Sequence, residues 1–293
     1  QRKNFTGQQN GDWMRCVKIP GDGRAITPTD ITTESGQPDK NQAAGLQSIF
    51  YGLCACGFSA SGPGKGKWFE YMKRMIDLSQ VSDGRLYSSG DMVRADCRDC
   101  RGCSDCCRGM GGSILLDPMD VWRFQTGLHR DFQSLLEKEA ELGMADGMIL
   151  PNLKMDAKGD ACLFLDENGR CSVHEFRPGL CRLFPLGRYY EENGFRYFLQ
   201  IHECRNKERG KVKIKKWLGI PDLKAYEAYI LSWHDFLEQC REGAGSLDGE
   251  KRRILALYVL RTFFETPFRA GKEEEFYSEF SQRLEEAGRT LGF

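Results

Sequence analysis

Five cysteines stand within the eleven residues from Cys97 to Cys107, and this run is the part of the chain best suited to chemistry. Thiolates are soft ligands, and short Cys-x-x-Cys loops bring several of them together at little entropic cost. The run therefore predicts a site for zinc or iron. Its five cysteines are Cys97, Cys100, Cys103, Cys106 and Cys107.

A second set of four cysteines follows on separate short elements, at Cys162, Cys171, Cys181 and Cys204. We expect the two sets to close on each other around the metal. A disulfide framework is the alternative, but such frameworks are usual in short chains that cannot bury a core. This chain has 293 residues and an odd number of cysteines, 13, which favours a metal site.

The first run contains a spacing typical of iron–sulfur proteins. Cys97, Cys100, Cys103 and Cys107 fit the C-x2-C-x2-C-x3-C pattern of bacterial ferredoxins, although Arg108 stands where proline would follow. A [4Fe–4S] cluster is therefore the favoured cofactor, and zinc stays open as the alternative.

The same run also contains a vicinal pair of thiols. Cys100, Cys103, Cys106 and Cys107 give the pattern C-x2-C-x2-C-C. Adjacent side chains diverge along a chain, so Cys106 and Cys107 are awkward for a mononuclear zinc knuckle with four cysteine ligands. They either reach two metal centres, or one binds while its neighbour serves another role.

The later cysteines lie in recognisable surroundings. The run is followed by Cys162-Leu-Phe-Leu, by Cys171-Ser-Val-His-Glu-Phe-Arg-Pro-Gly-Leu-Cys181-Arg-Leu-Phe-Pro, and by Cys204. In order and spacing, roughly residues 95–210 resemble the CxxCxxCC family of zinc- or iron-chelating proteins, and Cys97 is an addition to that pattern. The resemblance implies metal or cluster binding and no particular reaction. The matching positions are Cys100, Cys103, Cys106, Cys107, Cys162, Cys171, Cys181 and Cys204.

Basic and imidazole side chains near these cysteines are candidates for a supporting role. A thiolate-bound metal centre carries net negative charge, which nearby guanidinium groups offset while donating hydrogen bonds to sulfur. The alternative for the arginines is an ordinary solvated surface. The histidines are either metal ligands or packing and hydrogen-bonding groups, and we favour the latter because thiols are plentiful. The candidates are Arg101, Arg108, Arg177, Arg182, His174 and His202.

The elements that must position these residues predict an α+β fold that is mainly helical, with a small hairpin-rich cysteine core. Asp117 and Pro118 predict a helix start, and a second helix is predicted from Asp131 to Leu142. Residues 161–204 read as two hairpins, with turns at Asn168-Gly169 and Asn193-Gly194. Apolar stripes predict helices over 222–240, 248–264 and 273–291.

We divide the chain into three parts: an N-terminal extension of unknown role over 1–67, a metal-binding domain over 68–210, and a helical region over 211–293 that packs on it. Cys54, Cys56 and Cys240 read as small buried side chains rather than ligands.

Composition excludes some classes of function. Lys plus Arg and Asp plus Glu balance at 42 each, so no net field favours nucleic acid or an anionic membrane. No apolar run approaches the roughly 20 residues of a membrane span, and residues 1–12 lack the apolar segment of a secretory signal. We therefore expect a cytoplasmic protein.

Three functions remain open at this point. The first is an iron–sulfur protein with a redox, sensing or cluster-handling role, which implies a redox or protein partner. The second is a structural zinc protein whose helices bind a partner. The third is a cluster-dependent enzyme, such as a protein-modifying methylase-like protein, although the chain lacks the C-x3-C-x2-C triplet of radical-SAM chemistry.

Overall fold

The computed structural model describes residues 78–97, 103–156, 161–206 and 208–293. The predictions for residues 1–67, for Cys54 and Cys56, and for Cys100 and Arg101 lie outside these ranges. The fold is α+β and mainly helical, as predicted.

The described residues contain eight α-helices and six short strands, besides short 3₁₀ turns and one π turn. The helices are α1 (Leu78–Val81), α2 (Pro118–Leu128), α3 (Phe132–Lys138), α4 (Gly179–Leu183), α5 (Ile214–Leu218), α6 (Leu223–Gly245), α7 (Gly249–Leu260) and α8 (Glu273–Leu291). The strands are β1 (Met92–Asp96), β2 (Ala140–Ala145), β3 (Met148–Leu153), β4 (Leu186–Glu191), β5 (Gly194–Leu199) and β6 (Gly210–Lys213). They form three antiparallel pairs, β1–β6, β2–β3 and β4–β5.

The start of α2 was predicted correctly. The side chain of Asp117 accepts a hydrogen bond from the Asp120 backbone N–H at 2.9 Å, and Asp120 Oδ2 accepts from the Asp117 backbone N–H at 3.3 Å. Pro118 occupies the first helical turn, where backbone N–H groups have no acceptor within the helix, so its lack of an N–H costs no hydrogen bond. This reciprocal capping box begins the helix, with Asp120 buried and Asp117 half-buried.

The helix predicted from Asp131 to Leu142 is wrong in its second half. Helix α3 ends at Lys138, and residues from Ala140 onward form β2, which pairs with β3 from Ala140↔Leu153 to Ala145↔Met148. Asp146 and Gly147 make the turn with φ of 51° and 85°, the left-handed conformation of a tight hairpin. The Asp-Gly pair was the sequence signal for this hairpin.

The first predicted hairpin of residues 161–204 is reduced to a turn. The turn at Gly169 is present, but the two flanking segments are joined by a single antiparallel bridge, Leu165↔Cys171, instead of paired strands. Cys162 bridges Met155 instead. These segments are short and half-exposed, so few hydrogen bonds of a β-ladder form between them.

The second predicted hairpin is confirmed, with shorter strands. The sequence predicts its strands over Leu183–Tyr190 and Phe195–His202, whereas β4 and β5 pair only from Leu186↔Leu199 to Glu191↔Gly194. The pair of β1 with β6 was not predicted from sequence. It joins Met92 to Lys213 and Val93 to Val212, residues more than 100 positions apart, and no local pattern reveals such a pairing.

The three predicted C-terminal helices are confirmed as α6, α7 with a π turn over Arg261–Glu265, and α8. Their apolar faces meet in an aromatic cluster, in which Trp233 lies 5.0 Å from Phe263 between ring centroids. Cys240 is fully buried on this face, as expected of a core residue. A single hydrophobic cluster runs from Val93 to Ala287, so the helical region shares its core with the preceding residues. The boundaries at 67 and 210 stay predictions.

Candidate metal centre

One cavity of about 380 Å³ gathers cysteines from both sets. Cys100 lies outside the described residues. Every other cysteine proposed as a ligand contributes to the wall of this cavity. The lining cysteines are Cys97, Cys103, Cys106, Cys107, Cys162, Cys171, Cys181 and Cys204.

The backbone joins the two sets directly. Cys106 and Cys107 lie on a short 3₁₀ turn over Asp105–Cys107, and the Cys107 carbonyl accepts a hydrogen bond from the Cys162 N–H at 2.8 Å. The neighbouring residues Arg108 and Ala161 form an antiparallel bridge. Thiols that are 55 positions apart in the sequence are therefore held side by side by main-chain hydrogen bonds.

Cys181 is brought to the cavity by a buried carboxylate on another element. Cys181 lies in the first turns of the short helix α4, and the N–H of Gly179 in that helix donates to Asp120 Oδ1 at 2.8 Å. Asp120 is 2% exposed. Burial, together with repulsion from Asp117, raises the pKa of Asp120 well above its usual range. The start of α2 thus fixes the position of α4 and of its cysteine.

The same carboxylates connect the site to the C-terminal helices. Tyr229 on α6 donates its hydroxyl to Asp117 Oδ1 at 3.0 Å and accepts the Met119 N–H at 3.0 Å. These contacts could not be predicted from the sequence, because Asp120–Gly179 and Asp117–Tyr229 join residues 59 and 112 positions apart.

Two pairs of sulfur atoms are in close contact. The Sγ atoms of Cys97 and Cys204 are 3.7 Å apart, and those of Cys106 and Cys107 are 3.9 Å apart. We had expected the vicinal side chains to diverge. The tight 3₁₀ turn over Asp105–Cys107 instead turns both toward the same cavity.

Each close pair contains one thiol that ionises easily. A hydrogen bond from Cys106 lowers the pKa of Cys107 to about 7, and a hydrogen bond from Cys97 lowers that of Cys204 to about 6. Burial acts in the opposite direction at Cys162, whose pKa rises to about 11, and also raises the pKa of Cys171 and Cys181. A bound cation is what such buried thiols need in order to ionise.

The predicted supporting residues are divided between the cavity and the surface. His174 and Arg177 line the cavity and touch each other, with 2.9 Å between Arg177 Nη1 and His174 Nδ1. Arg182 hydrogen-bonds the backbone carbonyls of Glu175 and Arg177 and so ties this loop to α4. Arg108 and His202 are exposed and stand outside the cavity lining.

A further wall of the cavity was not anticipated from sequence. Trp217 on α5 lines it and donates its indole N–H to the Phe184 carbonyl at 3.1 Å, while Lys216 lines it from the same helix. Arg170 and Arg205 add positive charge around the thiols, and Arg205 lies 3.7 Å from Asp105. Helix α5 reaches the site because it follows β6 directly.

The donor set fits a thiophilic metal or cluster. The described cysteines are all free of disulfide bonds, and soft thiolates are the ligands of zinc and of iron–sulfur clusters. Among the residues that the structure describes, no three His, Cys, Asp or Glu side chains lie close enough together to hold one metal ion. The thiols line one cavity without converging on one point.

No helix among the described residues has the length and apolar character needed to cross a membrane.

Comparisons with known proteins agree with the cysteine pattern. A protein of Methanocaldococcus jannaschii named "Uncharacterized protein MJ0939" is 26% identical over 182 residues, covering 57% of this chain. The chain spans about 60% of the length of that relative. No solved structure matches the chain. Residues 99–209 match the model of the CxxCxxCC family, described as "Putative zinc- or iron-chelating domain". The resemblance that the cysteine spacing predicted is thus confirmed as a match to the CxxCxxCC family model over residues 99–209.

Proposed function

We propose that this protein holds an iron–sulfur cluster through its cysteine sets and acts in electron transfer, sensing or cluster handling. The observation that carries the proposal is the cavity itself. It brings eight cysteines from five separate stretches of the chain to the wall of one cavity, and all but Cys97 lie within residues that match a zinc- or iron-chelating family. The proposed role implies a protein or redox partner in the cytoplasm, where thiols stay reduced.

The cavity leaves room for a multi-atom inorganic group between the thiols, since it measures about 380 Å³. The ferredoxin-like spacing, which includes Cys97 and Cys107, is the feature that favours a cluster over a single ion.

The charge around the thiols also supports a cluster. A cluster with four thiolate ligands is anionic, and the cavity is lined by four basic residues against three acidic ones. The basic residues are Arg170, Arg177, Arg205 and Lys216, and the acidic ones are Asp96, Asp105 and Glu203. Cations close to the sulfurs stabilise the anionic form and tune the reduction potential. A group that changes its charge on reduction benefits from this arrangement more than a redox-inert ion does.

Structural zinc is the second candidate, and the sulfur distances favour it. With Zn–S bonds of about 2.3 Å, two thiolates of a tetrahedral site lie about 3.8 Å apart. The two close pairs measure 3.7 and 3.9 Å between Sγ atoms. In this case the metal stabilises the loops, and the exposed faces of the helices serve a partner.

Anaerobic purification of the full chain, followed by assays of iron, zinc and acid-labile sulfide, tests the proposal. We expect iron and sulfide in equal amounts and a broad visible absorbance, because thiolate-bound iron–sulfur clusters are coloured. Cys240→Ala is the matched control, since Cys240 is buried in the helical core away from the cavity. Zinc without sulfide would contradict the cluster, and the absence of any metal would contradict metal binding altogether.

A further inference from the structure

A strongly basic segment lies next to the cavity, although the chain as a whole carries no net charge. Residues 205–216 contain seven lysines and arginines and one acidic residue, Glu208. Of the seven basic residues, Lys207 lies outside the described part of the chain. The balanced composition of the whole chain therefore hides a local excess of positive charge.

The pairing of β6 with β1 gathers part of this charge on one face. Lys211 and Lys213 on β6 are both exposed, whereas Val212 between them packs against the core. On β1, Met92 pairs with Lys213, and both Met92 and Arg94 are exposed. Because side chains alternate between the faces of a strand, the outer face of this sheet carries the two lysines together with Arg94.

Further basic residues connect this outer face to the cavity. Helix α5 follows β6 directly, and its Lys215 and Lys216 are exposed. Lys216 lines the cavity, and so does Arg205, whose side chain is 70% exposed. The positive surface thus runs from the sheet to the wall of the cavity. We call it the basic face, and it consists of Arg94, Arg205, Lys211, Lys213, Lys215 and Lys216.

The lysines of the basic face are not neutralised by the rest of the described protein. The ion pairs among the described residues do not involve Lys211, Lys213, Lys215 or Lys216. Lysines on an edge strand commonly prevent association with another edge, which is an ordinary role for the two on β6. That role does not require Lys215, Lys216 or Arg205, which stand outside the strand and next to the cavity.

We propose that the basic face docks an acidic protein of the small electron-carrier class beside the cavity. The proposal rests on the proposed function and deepens it, because one electron would pass from the reduced carrier to the oxidised cluster. Complementary charge steers and orients such encounters. Transient redox complexes bury less than about 1,200 Å² in total, which suits a face made of two short strands and one short helix.

Acidic side chains around the basic face favour a protein over a nucleic acid as the occupant. A nucleic acid presents a phosphate charge at every nucleotide, so a strand laid along this face would meet carboxylates. The carboxylates of a folded protein stand at separate points and can match the basic residues. Met92, which is 49% exposed, adds the kind of apolar contact that protein interfaces favour. The acidic side chains are Asp91, Asp96, Asp105, Glu203 and Glu208.

Calorimetric titration of the full chain with two acidic electron carriers, a [2Fe–2S] ferredoxin and a flavodoxin, tests the proposal. We expect at least one carrier to bind at 0.1 M salt and to be released at 1 M salt, where the Debye length falls from about 10 Å to about 3 Å. The double variant Lys211→Glu with Lys213→Glu should bind that carrier about 10-fold more weakly or worse, because it reverses two charges of the basic face. Neither residue lines the cavity, so its iron and sulfide content should match the wild type.

Lys251→Glu with Arg253→Glu is the matched control. It makes the same change in net charge on the exposed start of α7, away from the cavity lining, and the affinity for the carrier should stay within about 2-fold of the wild type. Lys211→Arg with Lys213→Arg should also bind like the wild type. If circular dichroism shows that the Glu variant of the basic face does not fold, Lys211→Gln with Lys213→Gln takes its place.

The possible outcomes separate this inference from the proposed function. Equal affinity of the wild type and the Lys211→Glu, Lys213→Glu variant, or failure of both carriers to bind at 0.1 M salt, would overturn the docking proposal. Binding of a single-stranded DNA oligonucleotide that is tighter than carrier binding, and is lost in the same variant, would overturn it in favour of nucleic acid. Carrier binding by a chain that holds neither iron nor sulfide would contradict the proposed function and not the docking surface.

Discussion

Replacing Asp120 with alanine tests whether a buried carboxylate at the start of α2 positions Cys181. Asp120 Oδ1 accepts the Gly179 N–H at 2.8 Å, and Oδ2 accepts the Asp117 N–H at 3.3 Å. Gly179 is buried, so the alanine variant leaves its N–H without an acceptor. An unsatisfied buried donor costs about 1–3 kcal/mol, and loss of half the capping box adds to this cost.

One effect opposes this loss. The pKa of Asp120 is raised by burial and by Asp117, so its ionised form destabilises the fold at neutral pH, and alanine removes that charge. The net loss in the free energy of unfolding should be about 2 kcal/mol for the metal-free protein. Because the pKa of Asp120 is higher in the folded than in the unfolded protein, its protonated carboxyl stabilises the fold at pH values below the unfolded pKa. This stabilisation is lost as pH rises through the folded pKa. The difference in the free energy of unfolding between wild type and variant should therefore be larger in mild acid than at neutral pH.

Urea unfolding and chelator competition measure the two consequences of Asp120→Ala. Because Gly179 lies two residues before Cys181, we expect metal affinity to fall by about 10-fold or more, as when the support of a metal ligand is removed. Asp120→Asn keeps one carbonyl oxygen and should recover part of both losses.

Asp131→Ala is the matched control for Asp120→Ala. Asp131 caps α3 by accepting the Ser134 N–H at 2.8 Å, but it is exposed and its cap does not involve Gly179. Metal affinity should be unchanged in this variant. A surface substitution usually changes the free energy of unfolding by no more than about 0.5 kcal/mol. If Asp120→Ala changes it by no more than that and also keeps its metal affinity, then Asp120 does not position Cys181.

Other predictions follow from the same site. Cys103→Ser should lower metal content and thermal stability together, because metal binding contributes to folding; unchanged metal content in elemental analysis would exclude Cys103 as a ligand. In the metal-free protein, alkylation of Cys107 followed by peptide mass spectrometry should reach half its maximal rate near pH 7, because a hydrogen bond from Cys106 lowers its pKa. Cys162 should reach half its maximal alkylation rate only near pH 11. Equal pH profiles for Cys107 and Cys162 would refute this difference. Gly179→Ala should destabilise the fold by about 1–3 kcal/mol, since its Cβ would lie 2.3 Å from the Tyr226 hydroxyl. Gly249→Ala, with no atom within 4 Å of its Cβ, should be neutral in the same thermal melt.

Local patterns in the sequence were sufficient for features that depend on neighbouring residues. The cap at Asp117, the turns at Gly169 and Asn193-Gly194, and helices α6 to α8 follow from capping, turn chemistry and apolar periodicity. The cysteine spacing was also local enough to reveal the family over residues 99–209. The β2–β3 hairpin was missed because the helix predicted from Asp131 to Leu142 covers the start of β2, and the Asp146-Gly147 turn signal was not used.

Only the tertiary structure decided how the cysteines are grouped. The sequence placed Cys97 in one run with Cys107, yet strand pairing of β1 with β6 puts its sulfur next to Cys204, 107 positions away. It likewise gave Asp120 no role beyond its own helix, whereas folding brings it to the N–H of Gly179. Residue types and spacing determine which ligands a chain carries. Long-range backbone pairing determines which of them can share an ion, because sulfurs must come within about 4 Å of each other to bind the same metal.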